Sequence, residues 1–547
     1  MKKLLAVIIS LFLLLSMTAC NIIEPTLGST EAPTEKPEND IPAGLHAAAV
    51  SFFTDFSAGS RIVEWSDVLQ LIDDEENPFI LSIRQQESYD KGHIKGAYSA
   101  AWGDGLADKV EMLPTDRKIY IYCDNGQDSA QTTALLNMLG IDAVSISLGY
   151  EDGFLKTNGY NDYISRKSNE LPDAGVRFDK EVLEFVQDYL EAIPDGGSNI
   201  LPASQVDMLT QWDNVNIVDI RDSDDFDEGH IEGAVNVPIS EDMLEGFQGL
   251  PEGKIVLTDY DGQIAGQMVS ALRALGYDAF ALKFGMVLGW QPYIVLNFVS
   301  KFFDNFKGSL IVQWSEVSKI IDSDEPPFIL CLQTEKEYEK EHVKGAYSAA
   351  WGEDLTEKVS MLPDDKTVYI YSDDGQTSCQ AAVLLNMLGI DAQSIRGGFE
   401  TISKEKGYDK YVETTVNELA DAKSEFNPFL LNAIEKYLEY ALDNSSYIIS
   451  ADDVENAIEN DNFIVVDMRA EKDFEKGHIN GAVNIVIDEN MQSFIGKLHV
   501  DNLIIADYGG QNAHQIVAML RMLGYEAFAL DSGMNAWLDA KMPVTDE

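Results

Sequence analysis

Residues 118–131 read KIYIYCDNGQDSAQ, and the rest of the chain can be read outward from them. Ile119 to Tyr122 are apolar or aromatic, which predicts a buried strand. They run into a tight polar loop, Cys123 to Asp128, and then into a helical pattern, SAQTTALLNMLG. This strand–loop–helix order should converge the loop's backbone N–H groups at a helix N-terminus. Such a concave nest holds anions and favours a thiolate over a thiol. Cys123 is therefore the candidate nucleophile. Asp124, Asn125, Gly126, Gln127, Asp128 and Ser129 make up the candidate anion loop around it.

The stretch recurs as KIVLTDYDGQIAGQ from Lys254, TVYIYSDDGQTSCQ from Thr367 and NLIIADYGGQNAHQ from Asn502. The loop glycine (Gly126, Gly262, Gly375, Gly510) and the glutamine after it persist. The first loop residue does not: Cys123 becomes Asp259, Ser372 and Asp507. Each copy follows a second recurring segment: GHIKGAYSAAW from Gly92, GHIEGAVNVPI from Gly229, EHVKGAYSAAW from Glu341 and GHINGAVNIVI from Gly477. His93 to Cys123 spans thirty positions, as does His342 to Ser372. His230 to Asp259 spans twenty-nine, as does His478 to Asp507. A fixed period of this kind sets the domain count at four. Units one and three form one subtype and two and four the other, so an ancestral pair has been duplicated.

Each unit opens with a segment whose apolar residues recur at helical spacing: LHAAAVSFFTDF, EVLEFVQDYLEAI, YIVLNFVSKFFDNF and LLNAIEKYLEYAL. These helices are expected to pack on their own domain or brace a neighbour, with a partner-binding groove as the alternative. Short β-rich runs such as FILSI (79–83), NIVDI (216–220) and FIVVD (463–467) alternate with helical patterns. That alternation predicts an α/β fold with a parallel sheet and helices on its faces.

The combined pattern is an apolar strand ending Asp-x-Arg, a Gly-His-Ile-x-Gly-Ala step, a strand running into Cys-x-x-Gly, and a late Gly-x-x-x-Trp. It resembles the rhodanese-like domain. VDIR (218–221), VDMR (466–469) and SGMNAW (532–537) carry the match in units two and four. Units one and three depart from the Asp-x-Arg step, with Ser82-Ile83-Arg84 and Cys331-Leu332-Gln333. The resemblance implies four doubly wound parallel-sheet domains whose loop cysteine accepts sulfane sulfur as a persulfide and passes it to a nucleophile. Only Cys123 matches that cysteine. In tandem sulfurtransferases of the family the active copy is commonly the second, so a cysteine in the first unit is atypical.

The resemblance also implies that donors such as thiosulfate meet Arg or Lys in this loop. Here the loop holds Asp124 and Asp128 and no base. Two carboxylates raise a thiol's pKa and repel a dianion, so weak thiosulfate use is expected, and a neutral, polymeric or protein-borne donor or acceptor fits better. Arg84 offers either a positive charge or a structural ion pair. Asp259 and Asp507 cannot form a persulfide, and their carboxylates are expected to satisfy the nest as internal anions. Ser372 has no evident base, which argues against a serine hydrolase. The Gly-His-Ile histidines recur whatever occupies the loop and are expected to hold a turn, while His514 is expected to pack or face solvent. Cys331 and Cys379 fall near one another in this fold, which allows either a disulfide or two buried free thiols. No Cys/His cluster has zinc spacing, so neither a metal nor a cofactor is expected.

At the N-terminus, Lys2 and Lys3 precede a twelve-residue apolar run and Ser-Met-Thr-Ala-Cys20, too short a run to span a bilayer comfortably. This resembles a bacterial lipoprotein leader cut before Cys20, whose sulfur is then lipidated; an ordinary secretory signal is the alternative. The expected organisation is a leader at 1–20, a Pro/Thr/Glu-rich tether at 21–44, and helix-plus-domain units at 45–165, 176–296, 297–415 and 426–547. The net charge of −54, from 39 basic and 93 acidic residues, excludes nucleic-acid binding and disfavours docking on anionic lipid. Together these readings predict an extracytoplasmic, lipid-anchored protein. It is either a sulfurtransferase or thiol-redox protein acting through Cys123, or a non-catalytic binding or scaffold protein.

Overall fold

A computed structural model describes residues 41–546 apart from 57–58, 194–197, 213, 307–308, 421–423, 461–462 and 487–501. The leader, Cys20 and the tether up to residue 40 lie outside the described residues. No helix of the described residues is long and apolar enough to cross a membrane. The described residues divide into two compact units, one running to Tyr293 and one that takes up the chain at Ile294.

Among the described residues, each unit contains two five-stranded, wholly parallel sheets. In the first domain the strands lie in the order Ile62–Val63, Ala143–Ile146, Ile119–Tyr122, Phe79–Ser82, Tyr98–Ser99. The third and fourth domains repeat this order, and the second repeats it read from the other edge. Phe79–Ser82 and Ala143–Ile146 are buried along their whole length. Helices cover both faces of a parallel sheet, so its inner strands need apolar side chains on both sides. The strand carrying the loop, Ile119–Tyr122, is central, and its carboxyl end lies at the sheet edge where α/β folds place their sites.

The leading helices form where their apolar spacing predicts, at Ala43–Phe56, Lys180–Glu191, Gln291–Asn305 and Pro428–Asp443. Asp179 caps the second through its side chain, which accepts from Glu181 N and Val182 N. Their packing crosses between domains. Ala43–Phe56 lies against Gln263–Ala274 and Met243–Gln248 of the second domain as well as Gln127–Met138 of its own. Its Leu45, Ala49, Phe52, Phe53 and Phe56 are all buried, and Phe53 meets Phe247 at 6.1 Å between ring centroids. Lys180–Glu191, ahead of the second domain, packs on Asp104–Ala107 of the first. Pro428–Asp443 likewise contacts Glu353–Lys358 of the third domain and Gln511–Met522 of the fourth. The helices therefore brace domain pairs, and one apolar core runs through both domains of each pair.

Candidate functional site

The loop after the central strand is the same nest four times over, with a different group in it each time. Cys123 Sγ accepts from Gly126 N at 3.0 Å and Ser129 N at 3.4 Å. Ser372 Oγ accepts from Gly375 N at 3.1 Å and Ser378 N at 3.4 Å. The Asp259 carboxylate takes Gly262 N at 2.5 Å, Ile264 N at 2.8 Å and Ala265 N at 3.2 Å. Asp507 takes Gly510 N at 2.5 Å and Asn512 N at 3.2 Å. Gly126 begins the helix Gln127–Met138 with φ +92°, a conformation that only glycine adopts freely. The helix starts two residues earlier than the helical pattern in the sequence, and that brings the Ser129 N–H onto the sulfur.

A second glycine closes each loop from above. Gly149, at φ +62°, lies so close that a Cβ there would sit 2.6 Å from Gly126 N and 2.7 Å from Cys123 O. The residues after it donate back to the loop, Tyr150 N to Cys123 O and Glu151 N to Asp124 O, each at 2.8 Å. Gly285, Gly398 and Gly533 repeat this closure at the other three loops.

The Cys123 side chain is consequently 3% exposed. Burial, and secondarily the Asp128 carboxylate, push its thiol up to about 11, against the pull of its hydrogen bonds to Ser129 and Asn125. The resting group is a thiol. Asp128 is itself pushed up to about 6, by burial and then by Asp124, while Ser198 and Lys283 pull it down. Lys283 belongs to the second domain, so a cation that the loop sequence lacks reaches the site from the neighbour. Asp259 is raised to about 7 by burial and by Asp261, with its three N–H bonds opposing the rise.

Arg84 pairs with Asp124 of the loop, donates to Gly92 O at 3.0 Å and stacks over the Tyr150 ring at 3.8 Å. Its counterparts are committed differently: Arg221 forks onto Asp219 and Arg469 onto Asp467, both fully buried. The step histidines hold turns. His93 stacks on Tyr89 at 3.7 Å, with Nδ1 2.8 Å from Tyr89 O, and His342 stacks on Tyr338 in the same way. His230 and His478 stack on Phe226 and Phe474. His514 is buried rather than exposed: Nδ1 lies 2.7 Å from Gly510 O, and burial lowers its pKa.

The disulfide allowed for Cys331 and Cys379 is absent, and both are free, buried thiols. Their side chains serve different contacts. Cys331 packs in an apolar cluster with Trp314, Tyr338 and Tyr371, whereas Cys379 Sγ accepts from Gln511 Nε2 at 3.5 Å across the domain boundary. Ser372 has only serine and backbone partners, Gly375, Ser378 and no base, among the described residues. No group of three or more metal-ligating side chains occurs among them either.

The persistent loop glutamines turn out to be inter-domain clamps. Gln127 donates to Gly262 O and Leu282 O, both at 3.2 Å, and accepts from Phe284 N at 3.0 Å. Gln263 reciprocates by accepting from Leu148 N at 3.0 Å. In the other unit Gln511 bonds Gly375 O and Gly397 N, and Gln376 accepts from Ser532 N. Each loop is thus held by its neighbour about a pseudo-two-fold relation. A second persistent glutamine, one helical turn further on, anchors the bracing helix: Tyr189 OH donates to Gln131 Oε1, as Tyr437 OH does to Gln380 Oε1.

The rhodanese-like domain family matches residues 64–165, 202–291, 313–405 and 450–540. An uncharacterized protein of Escherichia coli K12, YibN, is 29% identical over 101 residues, which is 18% of this chain and 71% of that one. The thiosulfate sulfurtransferase GlpE of Shewanella oneidensis is 35% identical over 78 residues, 14% of this chain and 76% of the relative. The crystal structure of a thiosulfate sulfurtransferase from Pseudomonas aeruginosa aligns over 89% of this chain and 90% of its own, at 16% identity and a TM-score of 0.19. Four matched domains, four parallel sheets of one strand order and four copies of one loop lead to a single assignment: the chain belongs to the rhodanese-like family.

Proposed function

We propose that this chain is an extracytoplasmic, lipid-anchored member of the sulfurtransferase family in which Cys123 alone carries sulfane sulfur, as a persulfide. The other three domains hold and frame its site without sulfur chemistry of their own. The observation that carries the reading is the shared nest. The N–H groups that converge on Cys123 Sγ are the equivalents of those that bind a carboxylate at Asp259 and Asp507. A nest whose N–H groups bond a carboxyl group in two copies offers the same donors to a thiolate or persulfide anion in a third. With a persulfide donor RSSH, Cys123–SH gives Cys123–SSH and RSH, the proton leaving on the departing thiolate. An acceptor thiolate then attacks the outer sulfur and restores Cys123. The extracytoplasmic placement is supported by Lys2, Lys3, the apolar run and Cys20 alone.

Burial of Cys123 and its raised pKa favour the second reading, a recognition protein with an inert thiol. One experiment separates the two. The chain from Leu45 onward, reduced and treated with polysulfide or thiosulfate, is weighed intact beside a Cys123→Ser variant. A gain of one sulfur atom, absent from the variant and removed by cyanide, supports the carrier. No adduct with any donor, while Cys123 stays a free thiol, leaves recognition as the function.

A further inference from the structure

In the second and fourth domains the arginine after the strand is held by the aspartate two positions before it, Asp219 or Asp467. In the first domain Ser82 replaces that aspartate, and in the third Cys331 does. The missing carboxylate reappears in the loop. Asp124, beside Cys123, accepts from Arg84 Nε, and Asp373, beside Ser372, accepts from Gln333 Nε2. The matching loop positions in the domains that keep the strand aspartate are Tyr260 and Tyr508. The carboxylate has therefore moved from strand to loop in both domains that lost it. Only in the first is the partner of the moved carboxylate an arginine and the residue before that carboxylate a cysteine. Arg84 is 6% exposed and Asp124 41%, so the guanidinium is buried while the carboxylate that pairs with it is open to solvent. Tyr150, on which Arg84 stacks, donates its N–H to Cys123 O, so the same turn that closes the loop carries the cation.

Resting on the reading of Cys123 as a sulfur carrier, we propose that Asp124 is the donor-specificity gate of the first domain. By occupying Arg84 it withholds the cation that a dianionic donor requires, and restricts the site to neutral or singly charged organic persulfides. A dianion such as thiosulfate would transfer its outer sulfur to the Cys123 thiolate and release sulfite with the electron pair of the broken S–S bond. It meets instead a neutralised guanidinium, with Asp128 and Glu151 close to Asp124. A persulfide donor has no second negative charge to balance.

The test uses the full chain, reduced, as wild type, Asp124→Ser and Ser82→Asp/Asp124→Ser. Asp124→Asn stands in if the serine variant does not fold. Two readouts are taken: persulfide on the Cys123 peptide after thiosulfate or a neutral alkyl persulfide, and the thiosulfate-induced shift in melting temperature. Asp124→Ser should take sulfur from thiosulfate roughly tenfold faster than wild type, the effect of one charge at an intermediate dielectric, and should be stabilised by thiosulfate. Adding Ser82→Asp, which leaves the loop unchanged but gives Arg84 back a strand carboxylate, should reverse both gains. A single variant that accepts sulfur from the alkyl persulfide but gains nothing with thiosulfate overturns the proposal, as does a double variant that keeps the gain. If no form takes sulfur from any donor, the carrier reading fails and the melting shifts decide the gate: stabilisation of the single variant alone upholds it, and no stabilisation overturns it.

Discussion

Replacing Gln127 with alanine should unfasten the two domains of the first unit at one point. The side chain is fully buried and makes three hydrogen bonds to the second domain, to Gly262 O, Leu282 O and Phe284 N. Alanine removes both halves of the amide and leaves two carbonyls and one N–H facing a void. Each orphaned group costs about 1–3 kcal/mol, and water entering the cavity recovers part of it. The net loss is expected at about 3–5 kcal/mol. It would be measured by urea unfolding of residues 41–293, which form one compact unit. Gln263→Ala should cost less, because among its bonds across the boundary is that from Leu148 N, while its Nε2 stays within its own loop on Asp261. The two substitutions should be non-additive, since each glutamine holds the loop that presents the other. A Gln127→Ala loss below about 1 kcal/mol, or strict additivity with Gln263→Ala, would refute the clamp.

Two further outcomes follow from the buried carboxylates. Asp259 titrates higher in the folded chain, about 7, than in the unfolded one, about 4, so the folded state favours its protonated form. Its contribution is fully present below about pH 4 and is lost as pH rises through about 7. Urea midpoints of the first unit should fall over that window, and Asp259→Asn should flatten the fall; an unchanged slope would count against the assignment. Asp219→Ser should cost roughly 3–5 kcal/mol by stranding the buried Arg221. Tyr260→Asp in the same chain, copying the first domain's arrangement, should recover a good part of that loss in thermal melts, and no recovery would mean that the loop position cannot reach the arginine.

Much of this site is legible in the sequence, because its parts are local. Strand, loop and helix N-terminus fall within fourteen residues, and a loop glycine repeated four times at fixed spacing is enough to mark the nest. The carboxylates of Asp259 and Asp507 fill the nest as charge alone suggests. Partners from far along the chain are another matter. The glutamines Gln127 and Gln263 persist visibly, but their bonds span more than a hundred positions, and no periodicity encodes a pairing of that range. Lys283 reaches Asp128 for the same reason. The trade between Ser82 and Asp124 is visible in the sequence as two separate departures from the family pattern; only their meeting at Arg84 makes them one event.

The crossing of the leading helices has a consequence for how the protein is made. Helix Ala43–Phe56 buries three phenylalanines partly against Met243–Gln248 and Gln263–Ala274, segments synthesised some two hundred residues later. Until those emerge, an apolar face has no complete cover, and each such side chain left in water forgoes roughly 1.5–3 kcal/mol. The first domain therefore cannot finish folding behind the ribosome as a self-sufficient bead. The newly made chain must stay open, or be kept open, until its second domain arrives, and long waits of this kind leave apolar surface exposed to aggregation.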